Sequence, residues 1–251
     1  VLVYRLTTTD TAQYSEYIYT NRPDEYLVDW NIKMQGFDKI IPAQDNTLQL
    51  VWKNQANHDE KDIDLERRNV QVYFRDDKKD VDYFSFYKTK AKDIATPLEW
   101  VSFKQQFFNT TLIAPHYFSG ANITGELPGD SSPVVARSAI TLSLPYNHAA
   151  SYDIPLQMYY GPNDYTILKS HKIGLENVVP LGYGIYAFVK YINKWIVLPV
   201  FLLLGKLIGN WGIVIILLTI VLRLLISPLT YKSYVSQAKM KVLKPELDAL
   251  K

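Results

Sequence analysis

Residues 211–229 read WGIVIILLTIVLRLLISPL, and this stretch decides the architecture of the chain. Its nineteen residues carry a single charge. As an α-helix they would extend about 28 Å, which matches the hydrocarbon core of a bilayer. About −0.5 kcal/mol for each Ile, Leu and Val outweighs about +3 kcal/mol for Arg223 on a biological insertion scale. The stretch therefore predicts a transmembrane helix, and we place it within residues 209–230.

The predicted span is not uniform around its circumference. Thr219, Arg223 and Ser227 recur every four residues and Thr230 follows three later, so all four share one helix face. An arginine inside a span is costly and marks a functional site by default. Two interpretations stay open. Arg223 could snorkel to the headgroups from about 9 Å below the end of the span, or the stripe could line a wet groove. The hydroxyls favour the groove, although Ser and Thr can also bond back to their own helix.

Charge divides the chain into unlike parts. The 251 residues are 48% hydrophobic with a net charge of only +2. Residues 1–180 hold 18 Lys and Arg against 23 Asp and Glu, whereas residues 181–251 hold 9 against 2. An acidic globular part argues against DNA binding there, and a basic, apolar tail indicates a membrane role. There is no cysteine, which excludes thiolate metal sites, disulfides and cysteine nucleophiles.

Residues 1–180 have the pattern of a large β-sandwich. Apolar side chains alternate with polar ones in four separate runs, and period two is typical of half-buried strands. Turn sequences such as 76–80, DDKKD, separate the runs. The alternating positions are Val28, Trp30, Ile32 and Met34; Leu48, Leu50 and Trp52; Val70, Val72 and Phe74; and Ile140, Leu142 and Leu144.

One helix is expected inside this β domain. Residues 96–99, TPLE, have the form of a capping box with proline at the first helical position. Trp100, Phe103 and Phe107 would then share one face. We expect this helix to pack on the sandwich.

The β domain offers little chemistry. Its histidines, at positions 58, 116, 148 and 171, lack the spacing of a zinc site, and no nucleophile motif accompanies them. Acidic clusters at 59–64 and 76–77 lack the glycine and terminal glutamate of an EF-hand loop, so a solvated surface is the favoured interpretation. We predict no catalytic residues, no metal site and no cofactor, and hence no enzyme. An aromatic-rich sandwich could still hold a sugar or a peptide in a groove.

Residues 181–208 predict an amphipathic helix lying in the membrane interface. Lys190, Asn193 and Lys194 share one face, and an apolar run at 195–204 is interrupted by Pro199. A second span is the alternative, but a full-length span would have to include both lysines. Gly209–Gly212 would then turn the chain into the span.

Residues 231–251 carry five lysines against two acidic residues, which predicts a cytoplasmic location by the positive-inside rule. With one crossing, the β domain lies outside. A domain exported ahead of its crossing requires an upstream anchor or signal, so we expect the start at Val1 to be a processed or excised boundary. The tail predicts a helix broken near Pro245, with an apolar face that includes Val235, Leu247 and Leu250 and needs a partner.

These residues carry a family resemblance. Gly209-Asn210-Trp211-Gly212, Leu218-Thr219, Arg223, Pro228-Leu229-Thr230, Ser233-Tyr234, Ala238-Lys239-Met240 and Leu243-Lys244-Pro245 resemble the first part of the conserved core of a YidC-type membrane protein insertase. Upstream, Tyr160-Gly161-Pro162 and the run 173–179, IGLENVV, resemble the end of that family's periplasmic domain.

The resemblance implies a periplasmic β super-sandwich, an interfacial edge helix, a first core span, and the start of a cytoplasmic helical hairpin at 231–251. It implies an inner-membrane insertase and chaperone, multi-pass in full length, whose hydrophilic groove includes Arg223, with Thr219 and Ser227 beside it. Its partners would be nascent membrane proteins, the lipid bilayer, the ribosome and the Sec translocon. The alternative is a membrane-anchored periplasmic receptor for a carbohydrate or peptide. An intramembrane hydrolase is disfavoured, because the span has no nucleophile paired with a base.

Overall fold

The computed structural model describes residues 1–88, 90–129, 132–182 and 188–248, without the side chains of 242–248. The chain divides into two compact units, Val1–Val179 and Pro180–Lys251. The strands of the described chain all lie in the first unit, and the second is helical. Three parts of the predictions lie outside the described residues or side chains: the start of the interfacial helix at 184–187, and Leu247 and Leu250 of the tail.

Two antiparallel sheets form the first unit. An eight-stranded sheet has the order β1-β2-β3-β12-β9-β8-β5-β6, and a four-stranded sheet has the order β4-β11-β10-β7. The strands are β1 (Leu2–Thr7), β2 (Tyr14–Asn21), β3 (Leu27–Gln35), β4 (Thr47–Asn57), β5 (Gln71–Asp76), β6 (Val81–Ser85), β7 (Ala91–Ile94), β8 (Leu98–Lys104), β9 (Phe108–Phe118), β10 (Gly120–Glu126), β11 (Val134–Pro145) and β12 (Ser151–Pro162).

The main core lies between the two sheets, where the alternating positions meet. Trp30 and Ile32 of β3 are buried there, as are Ile140 and Leu142 of β11. Because successive strand residues point to opposite faces, the polar neighbours of these residues face away from the core. The predicted β-sandwich is confirmed, and its four alternating runs correspond to β3, β4, β5 and β11.

A second core covers the other face of the eight-stranded sheet. Helix α2 (Tyr165–Ser170) and a 3₁₀ turn (Leu175–Val178) contribute Leu168 and Leu175 to a core that includes Trp100. Two side chains also hold the connecting backbone: Trp100 Nε1 donates to the carbonyl of Ile173 at 2.9 Å, and Arg75 donates to the same oxygen. These contacts attach the end of the first unit to its sheet.

The helix predicted at residues 96–107 is wrong, because Leu98–Lys104 form strand β8 instead. This strand lies between β5 and β9, and six of its seven residues are buried, so it faces a core on both sides. A strand buried on both faces is apolar without alternation, and the spacing of its aromatic rings can therefore imitate a helix. The Glu99 carboxylate accepts from Arg75 at 2.8 Å instead of closing a capping box, and Phe107 is exposed in the loop that follows.

The helix α1 (Ile63–Asn69) was not predicted. Asp62, from the acidic cluster, caps it by accepting a hydrogen bond from the Leu65 N–H at 3.0 Å. Its signal in the sequence was that N-capping aspartate, which the density of surrounding acidic residues obscured.

In the second unit, helices α3 (Val189–Ile192) and α4 (Leu198–Leu207) are joined by a π-helical turn at Asn193–Val197. Pro199 therefore does not end the helical run. A proline lacks an N–H and its ring crowds the carbonyl four residues earlier, and the wider turn just before it relieves that conflict.

Helix α5 extends from Trp211 to Asp248 without interruption. The predicted break near Pro245 is wrong. A proline removes one backbone hydrogen bond, and a helix already formed over many residues can absorb that loss as a local bend. At about 1.5 Å per residue, α5 is about 57 Å long and exceeds the thickness of a bilayer core.

Candidate functional site

The outer surface of α5 is apolar and uncovered within its own unit. Residues Trp211–Lys241 are long and apolar enough to cross a membrane, and the described residues contain one such helix. Holding an Ile or Leu side chain in water instead of an apolar medium forgoes about 1.5–3 kcal/mol, so this surface suits lipid. Its large exposed side chains are Ile213, Ile215, Ile216, Ile220, Leu224, Leu225, Ile226 and Leu229.

The structure brings the predicted stripe together on one face of α5. At about 100° per residue, Thr219, Arg223, Ser227 and Thr230 fall within about 80° of one another, and all four are exposed. Each threonine hydroxyl donates to the carbonyl four residues earlier, at 2.8 Å and 3.0 Å. The hydroxyl protons are thus used within the helix, and only lone pairs remain to meet another molecule.

Ser227 has a structural role in addition to its place in the stripe. Pro228 has no N–H, so the carbonyl of Leu224, four residues earlier, lacks its usual donor. The Ser227 hydroxyl donates to that carbonyl at 2.8 Å. In a membrane, where no water can replace the missing bond, such a side-chain donor keeps a proline-containing helix satisfied.

Arg223 is the one cation of the predicted span. Its side chain is exposed, and no described residue of the chain forms a hydrogen bond or ion pair with it. Arginine keeps its charge and presents five N–H donors in a planar fork. Within the described stripe, Arg223 is therefore the residue that can donate hydrogen bonds to a carboxylate or a carbonyl oxygen.

Helix α4 packs on the opposite side of α5. The covered positions in the first half of α5 are Val214, which is fully buried, and the partly buried Leu217, Leu218, Val221 and Leu222. Measured around the helix from Val214 at about 100° per residue, the stripe lies between about 140° and 220° away. The polar face is thus turned away from the only described helix that packs against α5 in this unit. The sequence showed the stripe but not this relation.

The segment 201–214, which we call the elbow, contains the end of α4, the connection at 208–210 and the first turn of α5. The Asn210 side chain caps α5 by accepting from the N–H groups of Gly212 and Ile213 at 3.0 Å and 3.3 Å. The Trp211 ring stacks on Phe201 of α4, with centroids 5.5 Å apart. Sequence reasoning identified this segment only as a turn. Its signals were Asn210, an asparagine at an N-cap position, and Gly205 in α4, a glycine that leaves room for an aromatic ring.

Two histidines of the first unit, His58 and His171, contact neighbouring side chains. His58 Nδ1 lies 2.5 Å from Glu66 Oε2, and the N–H groups of Asp59 and Glu60 donate to the other carboxylate oxygen. Burial raises the pKa of Glu66, but these three hydrogen bonds outweigh it and hold that pKa below its ordinary value. His171 stands edge-on to Tyr159. Among the described residues no group of three or more His, Asp or Glu could hold a metal ion.

An open cleft of about 510 Å³ lies on the four-stranded sheet. Its charged residues are Lys53, Glu126 and Arg137. Arg137 already donates to Glu126 at 3.0 Å and to Gln55 at 3.3 Å. The described lining contains no aromatic ring on which a sugar could stack. The cleft therefore does little to favour a carbohydrate receptor.

Two family models match the chain. The model described as the YidC periplasmic domain matches residues 2–198, and the model described as 60Kd inner membrane protein matches residues 203–251. The chain is also similar to curated proteins named membrane protein insertase YidC. The one from Parabacteroides distasonis is 33% identical over 99% of this chain and 40% of that protein. The one from Bacteroides fragilis is 32% identical over 96% and 40%, and the one from Amoebophilus asiaticus is 32% identical over 95% and 40%. The chain thus spans about 40% of the length of these relatives.

Proposed function

Because this chain belongs to the YidC family of membrane protein insertases, we propose that the protein it forms part of inserts nascent hydrophobic segments into the bacterial inner membrane and acts there as a membrane chaperone. The family matches and the apolar helix α5 identify an inner-membrane protein with a periplasmic segment. In the proposal, residues 1–180 lie in the periplasm and residues 231–251 in the cytoplasm. No covalent bond is made or broken.

One observation carries the proposal: α5 presents a polar stripe on the side opposite α4. A helix surrounded only by lipid would gain nothing from an arginine there, since a charge at the centre of a span is costly. A groove that admits water and polar flanks would lower that cost. We assign Thr219, Arg223 and Ser227 to the wall of this hydrophilic groove, with the remaining wall supplied by helices outside this chain.

Arg223 has the central electrostatic role in this groove. A substrate carboxylate held near 5 Å from the guanidinium would gain about 3 kcal/mol at an effective dielectric of 20. That is enough to attract an acidic flank and too little to trap it. Because the hydroxyls of the stripe donate to their own backbone, the attraction to an acidic flank falls on Arg223 alone within the described stripe.

The test is insertion of paired substrates that differ only in the charge of the translocated flank, by the full-length protein at matched abundance. Arg223→Ala should reduce insertion of the acidic substrate at least fivefold and of the neutral one less than twofold. Arg223→Lys should retain most activity, because lysine keeps the charge and loses only the planar fork.

Leu224→Ala is the matched control, since Leu224 lies at the same depth on a different face of α5 and is 66% exposed. It should not discriminate between the two flanks. An equal loss for acidic and neutral substrates in Arg223→Ala would show that Arg223 only anchors the helix.

The proposed partners are nascent membrane proteins and the lipid bilayer. The family resemblance extends the proposal to the ribosome and the Sec translocon. Continuous helix beyond the span would carry lysines such as Lys232 and Lys239 into the cytoplasm, and these could contact a negatively charged ribosome surface.

A further inference from the structure

The elbow between α4 and α5 contains a close contact that any residue larger than glycine could keep only if the Trp211 ring shifted. The Trp211 ring lies over Gly205, and a Cβ built on Gly205 would stand 2.8 Å from Trp211 Cζ3 and 3.0 Å from Cη2. Contacts below 3.0 Å essentially do not occur for real Cβ atoms. Gly205 lies inside α4, where glycine is the poorest helix former apart from proline. Glycine at position 205 therefore weakens the helix but leaves the space that the Trp211 ring occupies.

The rest of the elbow fixes the same contact from other sides. Phe201, one helical turn before Gly205, stacks on the indole with the ring planes 25° apart. The Ile208 N–H closes the end of α4 on the Leu204 carbonyl at 2.9 Å. Val214, one turn into α5, is fully buried. The ring of Trp211, although 58% exposed, thus lies against two positions of α4, Phe201 and Gly205.

We propose that Gly205 is a positioning residue: its missing side chain seats the Trp211 ring and fixes the rotation of α5 about its axis relative to α4. The stripe of Thr219, Arg223 and Ser227 is rigidly linked to Trp211 through the helix, so seating the ring also turns the stripe away from α4. The proposal rests on the proposed function only in its consequence, which is access of substrate to Arg223.

Substitutions at Gly205 provide the test, because alanine and leucine both favour helix more than glycine does. If these variants expose position 214 to labelling, the cause must then be displacement of the Trp211 ring and not a weaker helix. A single cysteine is placed at Val214 or at Ile213 in a cysteine-free version of the full-length protein. Both positions lie within one turn of the start of α5, but Val214 faces α4 and Ile213 is 48% exposed.

The measurement is the rate of labelling by a small membrane-permeant maleimide in native membranes, because Ile213 lies on the lipid-facing surface of α5. With Gly205 present, the Val214→Cys protein should react at least tenfold more slowly than the Ile213→Cys protein. Gly205→Leu should bring the two rates within threefold, and Gly205→Ala should give an intermediate ratio. Trp211→Phe, which replaces the indole by a smaller ring, should restore the tenfold ratio in the Gly205→Ala protein.

Gly209 offers a matched control in the same segment, since a Cβ there would meet nothing within 4 Å. Gly209→Ala and Gly209→Leu should keep the tenfold ratio. If Gly205→Leu protein does not accumulate, Gly205→Ala and its Trp211→Phe partner decide the matter. Protection of Val214→Cys unchanged in both Gly205 variants would overturn the proposal, as would equal loss of protection in the Gly209 variants.

The insertion assay is run on the same proteins. Gly205→Leu should lower insertion of the acidic-flank substrate at least threefold, in parallel with the lost protection of position 214. If the unmodified full-length protein inserts neither substrate, the proposed function fails while the labelling result still decides the role of Gly205. Lost protection with normal insertion would overturn the link between the elbow and the stripe.

Discussion

Ser227 has two roles in α5, and the second depends on its neighbour Pro228. In the sequence, Ser227 belonged to the polar stripe because it follows Arg223 by four residues. In the structure, its hydroxyl donates to the Leu224 carbonyl, the group that Pro228 leaves without a donor. Both residues are visible in the sequence, but a proline more often ends a helix than lies inside one. Only the structure, in which α5 continues through Pro228, shows why Ser227 precedes it.

The pairing of Ser227 with Pro228 gives a quantitative prediction. Ser227→Ala should destabilise α5 by about 1 kcal/mol, because the Leu224 carbonyl then has no donor in an apolar medium. In a Pro228→Ala background the new N–H at 228 can donate to that carbonyl, and the cost of Ser227→Ala should fall towards zero. The four proteins form a double-mutant cycle, measured by unfolding in detergent micelles.

Thr230→Ala is the control for this cycle. Its hydroxyl donates to the Ile226 carbonyl, which also has the N–H of residue 230 as a partner. Its removal should cost less than Ser227→Ala and should not depend on Pro228. Equal costs for Ser227→Ala with and without Pro228 would contradict the explanation.

At the scale of elements, predictability follows how each element is buried. Strands β3, β4 and β11 face a core on one side and alternate visibly, so the sequence identified them. Strand β8 faces a core on both sides, and no periodicity remains to separate it from a buried helix. Helix α5 needed no periodicity, because its apolar length alone marks a span.

The last residue of β8 carries an unusual group. Lys104 is buried, its Nζ donates to the Asn69 carbonyl at 3.1 Å, and burial lowers its pKa from 10.5 to about 8. Between these two values the folded protein binds fewer protons than the unfolded chain, so the free energy of unfolding rises with pH there. Below pH 8 the charged group reduces stability, by up to about 3 kcal/mol from the size of the shift.

Lys104→Met should therefore stabilise the protein by about 1–2 kcal/mol at pH 7, since it removes the charge at similar length and forfeits one hydrogen bond. The gain should shrink as pH rises from 8 and vanish near 10.5. Urea unfolding at pH 7 and pH 10 measures it. Lys53→Met, at an exposed position of β4, should change the free energy of unfolding little at either pH. A gain for Lys104→Met that does not depend on pH would show that packing, and not charge, is responsible.

At the scale of the whole molecule, the sequence predicted the sandwich, the span and the stripe, because each depends on local pattern or composition. It could not predict the face of α5 that meets α4, or the seating of Trp211 over Gly205, because these depend on contacts between helices. Nor could the sequence or the structure show a partner for Arg223, since no described residue of this chain forms a hydrogen bond or ion pair with it. In the proposal, the rest of the groove wall comes from helices outside the described residues, which contain one candidate span.

Topology is the property that joins the two units into one function. The acidic first unit and the lysine-rich end of α5 predict opposite sides of the membrane, since lysines near the end of a span stay cytoplasmic. Single cysteines at Ala150 and Ser236, both exposed, should label from opposite sides with an impermeant thiol reagent. Ala150→Cys should react in spheroplasts, and Ser236→Cys only after the inner membrane is opened.

A single cysteine at Gly209, which is exposed between α4 and α5, completes the experiment. If α3 and α4 lie in the interface, Gly209→Cys should label from the same side as Ala150→Cys, whereas it should label from the opposite side if they cross. If they cross, two passes place Ala150 and Ser236 on one side of the membrane. Labelling of both Ala150→Cys and Ser236→Cys from the periplasm would then refute the single crossing. The end of the proposed Arg223 groove that we place on the cytoplasmic side would then have to lie on the periplasmic side.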